Sequence, residues 1–169
     1  MAVDPELLDS FLPVETADRL ARHLTEADVA TLKRILKAAT SENTIRAVSS
    51  DLGFLEAWSM AVTGAPVACP PADEEARRFV AHHLFVPSTD QGMLGNGLPG
   101  PVEDVLRGDG ILQGTLPHAP STVRRRLASW RRVAAAKGFD EALTSFQLRQ
   151  LVSAAVKASE RPVHRKSKK

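Results

Sequence analysis

Apolar residues recur along this chain at steps of three and four, and the alternation typical of strands is scarce. The pattern predicts short helices near residues 4–11 and 15–23, then a clear helix in "LTEADVATLKRILKAAT". There Thr25 and Asp28 resemble a capping box with Asp in the Glu place, and Val29, Leu32, Ile35 and Leu36 form the apolar stripe. In "SENTIRAVSSDLGFLEAWSMAVTG" one face of a long helix carries Ile45, Val48, Leu52, Leu55, Trp58 and Val62, and Gly64 closes it. "APVACPP" is a proline-punctuated connector. "ADEEARRFVAHHLF" opens with acids, which suit a helix N-terminus, and buries Ala76, Phe79, Val80 and Leu84 or His83.

Residues 86–119 interrupt this pattern. Seven of the ten glycines and four prolines fall there, which predicts a long loop insertion with one short helix at "PVEDVLRG". Helical spacing resumes in "APSTVRRRLASWRRVAAAKG", with Pro120 in the first turn, a stripe of Val123, Leu127, Trp130 and Ala134, and Gly138 at the end. Thr144 and Gln147 fit a capping box for a last helix, with Leu148, Leu151, Val152 and Ala155 facing inward. "RPVHRKSKK" is a basic tail with little to bury. No internal repeat is visible. The expectation is an all-α domain of four or five core helices over residues 25–160, with a 1–24 extension before it and a basic linker over 161–169.

The chain has 169 residues, 43% hydrophobic and 25% charged, within the range of a globular domain. No apolar run approaches the roughly 18–20 residues that cross a bilayer, and the acidic N-terminus lacks the order of a signal peptide. These features lead to the expectation of a cytoplasmic protein without membrane contact. The single cysteine, Cys69, rules out an internal disulfide and a C-x-x-C metal site, and reads as structural.

Charge changes the picture more. The net charge of +2 conceals −8 over residues 1–110 (9 basic, 17 acidic) and +10 over 111–169 (13 basic, 3 acidic). A segregated basic half suits a polyanion, usually nucleic acid, although the acidic half could also be its partner. Residues 119–138 hold five arginines and a lysine and no acid. At about 100° per residue, Ser121, Arg125, Ala128 and Arg132 align as one stripe, with Arg124 and Arg131 beside it. Such a helix suits a DNA major groove, where arginine pairs with guanine and its neighbours hold phosphates. It equally suits a solvated face paired with the acidic half, or a protein partner.

Other signals are weaker. "GNGLPG" matches G-x-G-x-x-G in letters but follows no predicted strand and contains a proline, so it does not read as a nucleotide site. His82 and His83 point to different helix faces, and neither has a ligand partner one turn on. Trp58 and Trp130 read as core, and no serine, cysteine or histidine is arranged for nucleophilic catalysis. No metal or cofactor is called for.

Two stretches together resemble the core-binding domain of tyrosine recombinases, the phage-integrase and Xer-like family. Ser41, Thr44, Arg46, Trp58 and Gly64 match its second helix; Ser121, Thr122, the arginines, Leu127 and Gly138 match its fourth; "ADEEARRFVAHHL" falls where its third belongs. The resemblance covers residues 25–169, and the 86–119 insertion departs from it. It implies a SAM-like orthogonal bundle that clamps double-stranded DNA at a recombination half-site through the major groove. By position, Thr44, Arg46 and Ala47 would face DNA from the second helix, and Ser121, Thr122, Arg124, Arg125 and Arg132 from the fourth. His164, Arg165 and Lys166 would lie in a linker toward a catalytic domain of the same longer chain. Other recombinase subunits would be partners in a synapse.

Strand transfer in that family uses a tyrosine nucleophile, and this chain has none, so the expectation is a DNA-binding part without catalysis of its own. The alternative is a helical protein–protein or oligomerisation adaptor working through its charge-segregated surfaces.

Overall fold

The computed structural model describes residues 23–37, 41–84, 96–114 and 117–158, apart from the side chain of Leu36. The helices expected near 4–11 and 15–23 lie outside the described residues, save for the turn at His23, and so does the 161–169 tail. The described residues form six helices and no strand: α1 (Glu26–Lys37), α2 (Glu42–Thr63), α3 (Asp73–His83), α4 (Gly100–Gly108), α5 (Pro120–Ala136) and α6 (Phe146–Ala158). The protein is an all-α bundle. No described helix is long and apolar enough to cross a membrane.

The capping chemistry sets the starts of α1 and α2. The Thr25 amide donates to Asp28 Oδ2 at 2.9 Å, and the Asp28 amide donates to Thr25 Oγ1 at 3.2 Å. This is the reciprocal box expected from the sequence. Ser41 caps α2 by accepting from the Thr44 amide at 3.4 Å. Gly64 ends α2 in the left-handed region at φ 72°, its amide donating to Met60 O at 2.9 Å.

Helix α2 is the spine. It packs on α1, α4 and most extensively on α5. Its first half joins Leu24, Val29, Leu32, Ile35 and Val133 in one apolar cluster through Ile45, Val48 and Leu52. Its second half enters a larger cluster with Phe79, Val80, Leu106, Val123, Trp130 and Leu148. The expected stripe is buried, except that Val62 is half-buried. A single stripe was too narrow a reading, however: every residue from Asp51 to Ser59 is buried, because neighbours surround the helix on all sides. Trp58, Phe79 and Trp130 meet edge to face, with Trp58–Phe79 centroids 5.1 Å apart and Trp58–Trp130 6.5 Å.

The 86–119 segment is more than a loop. Its described part contains α4, which packs on α2, and it sends Leu98, Leu106 and Leu112 into the core. Gly97 lies so close to the end of α3 that a Cβ would fall 2.0 Å from Ala81 O. Here the glycine of "GNGLPG" permits close chain packing.

The last helix starts one residue later than expected. Ser145, not Thr144, accepts the first-turn amide, from Leu148 at 3.1 Å. Thr144 Oγ1 instead donates to Glu141 O at 2.7 Å. Ser145 Oγ also donates to Asp73 at the start of α3, which joins the two helix beginnings. Along α6, Leu148 is buried and Val152 and Ala155 are half-buried, but Leu151 is exposed, contrary to its expected inward position. The helix packs chiefly on α3, and Val152, Ala155 and Val156, not Leu151, pack against the core.

Candidate nucleic-acid interface

Helix α5 divides its residues by angle. Val123, Trp130, Val133 and Ala134 are buried, and Leu127 is only half-buried. Arg124, Arg125, Ala128, Arg131 and Arg132 are exposed on the opposite side. The small Ala128 lowers the middle of this ridge, and a depression opens on each flank.

The depression toward α2 has a volume of about 340 Å³. Thr44 and Ala47 from α2 meet Arg125 and Arg132 from α5 there, with Asn43, Val48, Ala128 and Ser129 completing the lining. Four of the residues expected to face DNA are therefore brought together across 80 residues of sequence, and no lining residue is acidic.

The other expected residues lie elsewhere. Arg46 is exposed outside this lining, ion-paired with Glu42 one turn earlier. Arg124 lines the opposite depression, of about 230 Å³, between α5 and α6, with Arg131, Arg149, Leu127, Leu148 and Val152. Ser121 is exposed and Thr122 half-buried in the first turn of α5, and neither lines the α2-side depression. His164, Arg165 and Lys166 lie outside the described residues.

A buried acid organises the floor. Asp51, only 1% exposed, accepts from Arg125 Nη1 at 2.9 Å and from Ser129 Oγ at 2.8 Å. Arg126 Nε stands 3.6 Å from its other oxygen. Burial raises the Asp51 pKa, and the Ser129 hydrogen bond and then the two arginines oppose the rise. The acid thus joins the α2 spine to two adjacent arginines with opposite surroundings. The Arg125 side chain is 49% exposed; that of Arg126 is 13% exposed. Arg126 lies 3.4 Å over the Phe54 ring and its Nη1 is 2.8 Å from His118 Nε2. Burial pushes its pKa down to about 10, with Asp51 opposing, so it stays charged near neutrality.

Neither Asp51 nor Arg126 was among the expected site residues, although their spacing held the signal. Arg126 stands three residues after Val123 and four before Trp130, on the buried stripe of α5. Asp51 stands three after Val48 and four before Leu55, on that of α2. A charged residue at a core position of one helix invites a counter-charge on another.

The remaining polar groups are structural. Trp58 Nε1 donates to His82 Nδ1 at 3.1 Å, and burial lowers the His82 pKa. His83 is buried among Phe54, Phe79 and His118, and burial holds its pKa well below the usual value. Cys69 is a free, exposed thiol on the connector. Among the described residues no group of three His, Cys, Asp or Glu could hold a metal ion. No protein-family profile, curated protein or solved structure matches the chain. The class that the fold defines is a small all-α bundle with a basic ridge.

Proposed function

We propose that this chain is a sequence-recognising DNA-binding domain, of the kind that clamps a half-site for a tyrosine recombinase. The observation that carries the reading is the acid-free depression between α2 and α5, where Thr44, Ala47, Arg125 and Arg132 converge. Short polar side chains on one wall and guanidinium groups on the other suit a nucleic-acid edge flanked by phosphates. The +10 charge of residues 111–169 supplies the attraction. With no tyrosine, the proposed role is recognition, and strand cleavage falls to a catalytic domain of the same recombinase.

The test is titration against duplex DNA at two salt concentrations, about 50 and about 200 mM, where several phosphate contacts change affinity by orders of magnitude. Binding is expected at the lower salt and to fall steeply at the higher. Arg132→Ala is expected to weaken binding and flatten the salt dependence by about one phosphate contact. Absence of duplex binding at low salt would sink the proposal. A stable oligomer without DNA affinity would instead favour the adaptor reading, for which the exposed Phe146 and Leu151 on α6 offer an apolar surface.

A further inference from the structure

We infer that Asp51 is a positioning residue that makes Arg125 a reader of base sequence and keeps it from serving as one more phosphate contact. The inference rests on the DNA-binding reading and names a residue that never touches DNA.

An exposed arginine on a helix samples many rotamers and can meet any phosphate within reach, a contact that carries no sequence information. Arg125 differs, because one guanidinium nitrogen is held at 2.9 Å by a carboxylate with 1% exposure. That carboxylate is itself fixed, since Ser129 Oγ donates to the same oxygen at 2.8 Å from one turn further along α5. A guanidinium carries five N–H donors in a rigid plane. Holding one nitrogen restrains the guanidinium and leaves its other N–H donors unused by Asp51, in a residue that lines the depression. A fixed planar fork is what bidentate pairing to a guanine edge requires. The same acid partly offsets the charge of Arg125, which weakens indiscriminate attraction to phosphate. On the opposite flank of α5, Arg124 and Arg131 have no carboxylate within ion-pair distance. Of the two arginines that Asp51 meets, Arg126 is largely buried and only Arg125 lines the depression.

The experiment compares wild-type chain, Asp51→Asn and Arg125→Lys. A preferred duplex is first selected from a random pool with the wild type, and each protein is then titrated against it and a scrambled duplex of equal length. Asp51→Asn is expected to bind scrambled duplex at least as tightly as wild type while its preference for the selected duplex falls by about tenfold or more. Arg125→Lys keeps the charge and loses the fork, so it is expected to lose the same preference. If Asp51→Asn does not fold, as circular dichroism would reveal, Ser129→Ala, which releases the Asp51 oxygen that holds Arg125, is expected to lose the same preference, and an unchanged preference in it would overturn the inference. Variants that lose affinity for both duplexes in proportion, with preference intact, would overturn the inference. A wild type that binds duplexes tightly but selects none would overturn it too, while sparing the DNA-binding reading. A wild type that binds no duplex would overturn both.

Discussion

Arg126 is a cation in the core, stacked on Phe54 and placed between Asp51 and His118. Removing one member of such a buried set leaves the other charge without compensation, which costs about 3–5 kcal/mol. Arg126→Ala is therefore expected to lower unfolding free energy by that order, measured by urea denaturation. Arg124→Ala, on the exposed ridge, is expected to change it by no more than about 0.5 kcal/mol. Equal effects would contradict the division of α5 into a ridge and a core face. In the sequence the run "VRRRLASW" shows three like arginines, and angular spacing separates them only when the positions of their neighbours are known. Arg125 and Arg132 were legible because local periodicity sets them on one stripe of α5, whereas Thr44 and Ala47 came only by position from the resemblance to the recombinase core-binding domain. Asp51 was not, because its importance comes from Arg125 and Ser129, 74 and 78 residues away.

At the scale of the element, a helix boundary is decided by which side chain satisfies the first-turn amides. For α6 that side chain is Ser145, which accepts from the Leu148 amide and donates to Asp73. Losing an N-cap hydroxyl costs about 1 kcal/mol, and the link to α3 adds to it. Ser145→Ala is expected to destabilise the domain more than Thr144→Ala, whose hydroxyl only returns to Glu141. Thermal melts of the two variants check the order. The sequence pattern pointed to Thr144, which has Gln147 three residues on, whereas Ser145 has only Leu148 there and is favoured by its tertiary bond to Asp73. The α1 box and the glycine end of α2 were legible for the opposite reason: each is complete within a few residues. In the 86–119 segment the short helix at "PVEDVLRG" was legible, but the core contribution of Leu98, Leu106 and Leu112 was not, because they reach the core without helical periodicity between them.

At the scale of the whole molecule, one buried carboxyl ties several parts together. Glu56 on α2 accepts from the Val67 amide of the connector at 2.8 Å and lies beside the Asp28 carboxyl of α1. Lys137, past the end of α5, reaches Asp28 at 3.3 Å. Burial above all, and then nearby Asp28, raises the Glu56 pKa from 4.5 to about 8. The folded state thus holds this proton more tightly than the unfolded chain. Its contribution is full below about pH 4.5, declines as pH rises to about 8, and stays lost above that. Glu56→Gln keeps an acceptor for Val67 and a donor for Asp28 without the titration. The stability of wild type relative to Glu56→Gln, measured by denaturant unfolding, is expected to decline across that window. A pH-independent difference would contradict the protonated role. The all-α class was visible in the sequence through its 3.6-residue rhythm, but this junction was not, because three separate segments and a connector must meet before it exists.

The enclosure of α2 has a further consequence for how such a domain can diversify. From Asp51 to Ser59 no position on the spine faces solvent, so nearly every change there must be answered by a change in a neighbour. The ridge of α5 is under less obligation: Arg124, Ala128 and Arg131 are exposed and can be exchanged without disturbing the interior. The molecule thus separates a part that resists variation from a part open to it, and Asp51 lies on the border between them. Surface change can accumulate on the ridge while the packing beneath it stays as it is.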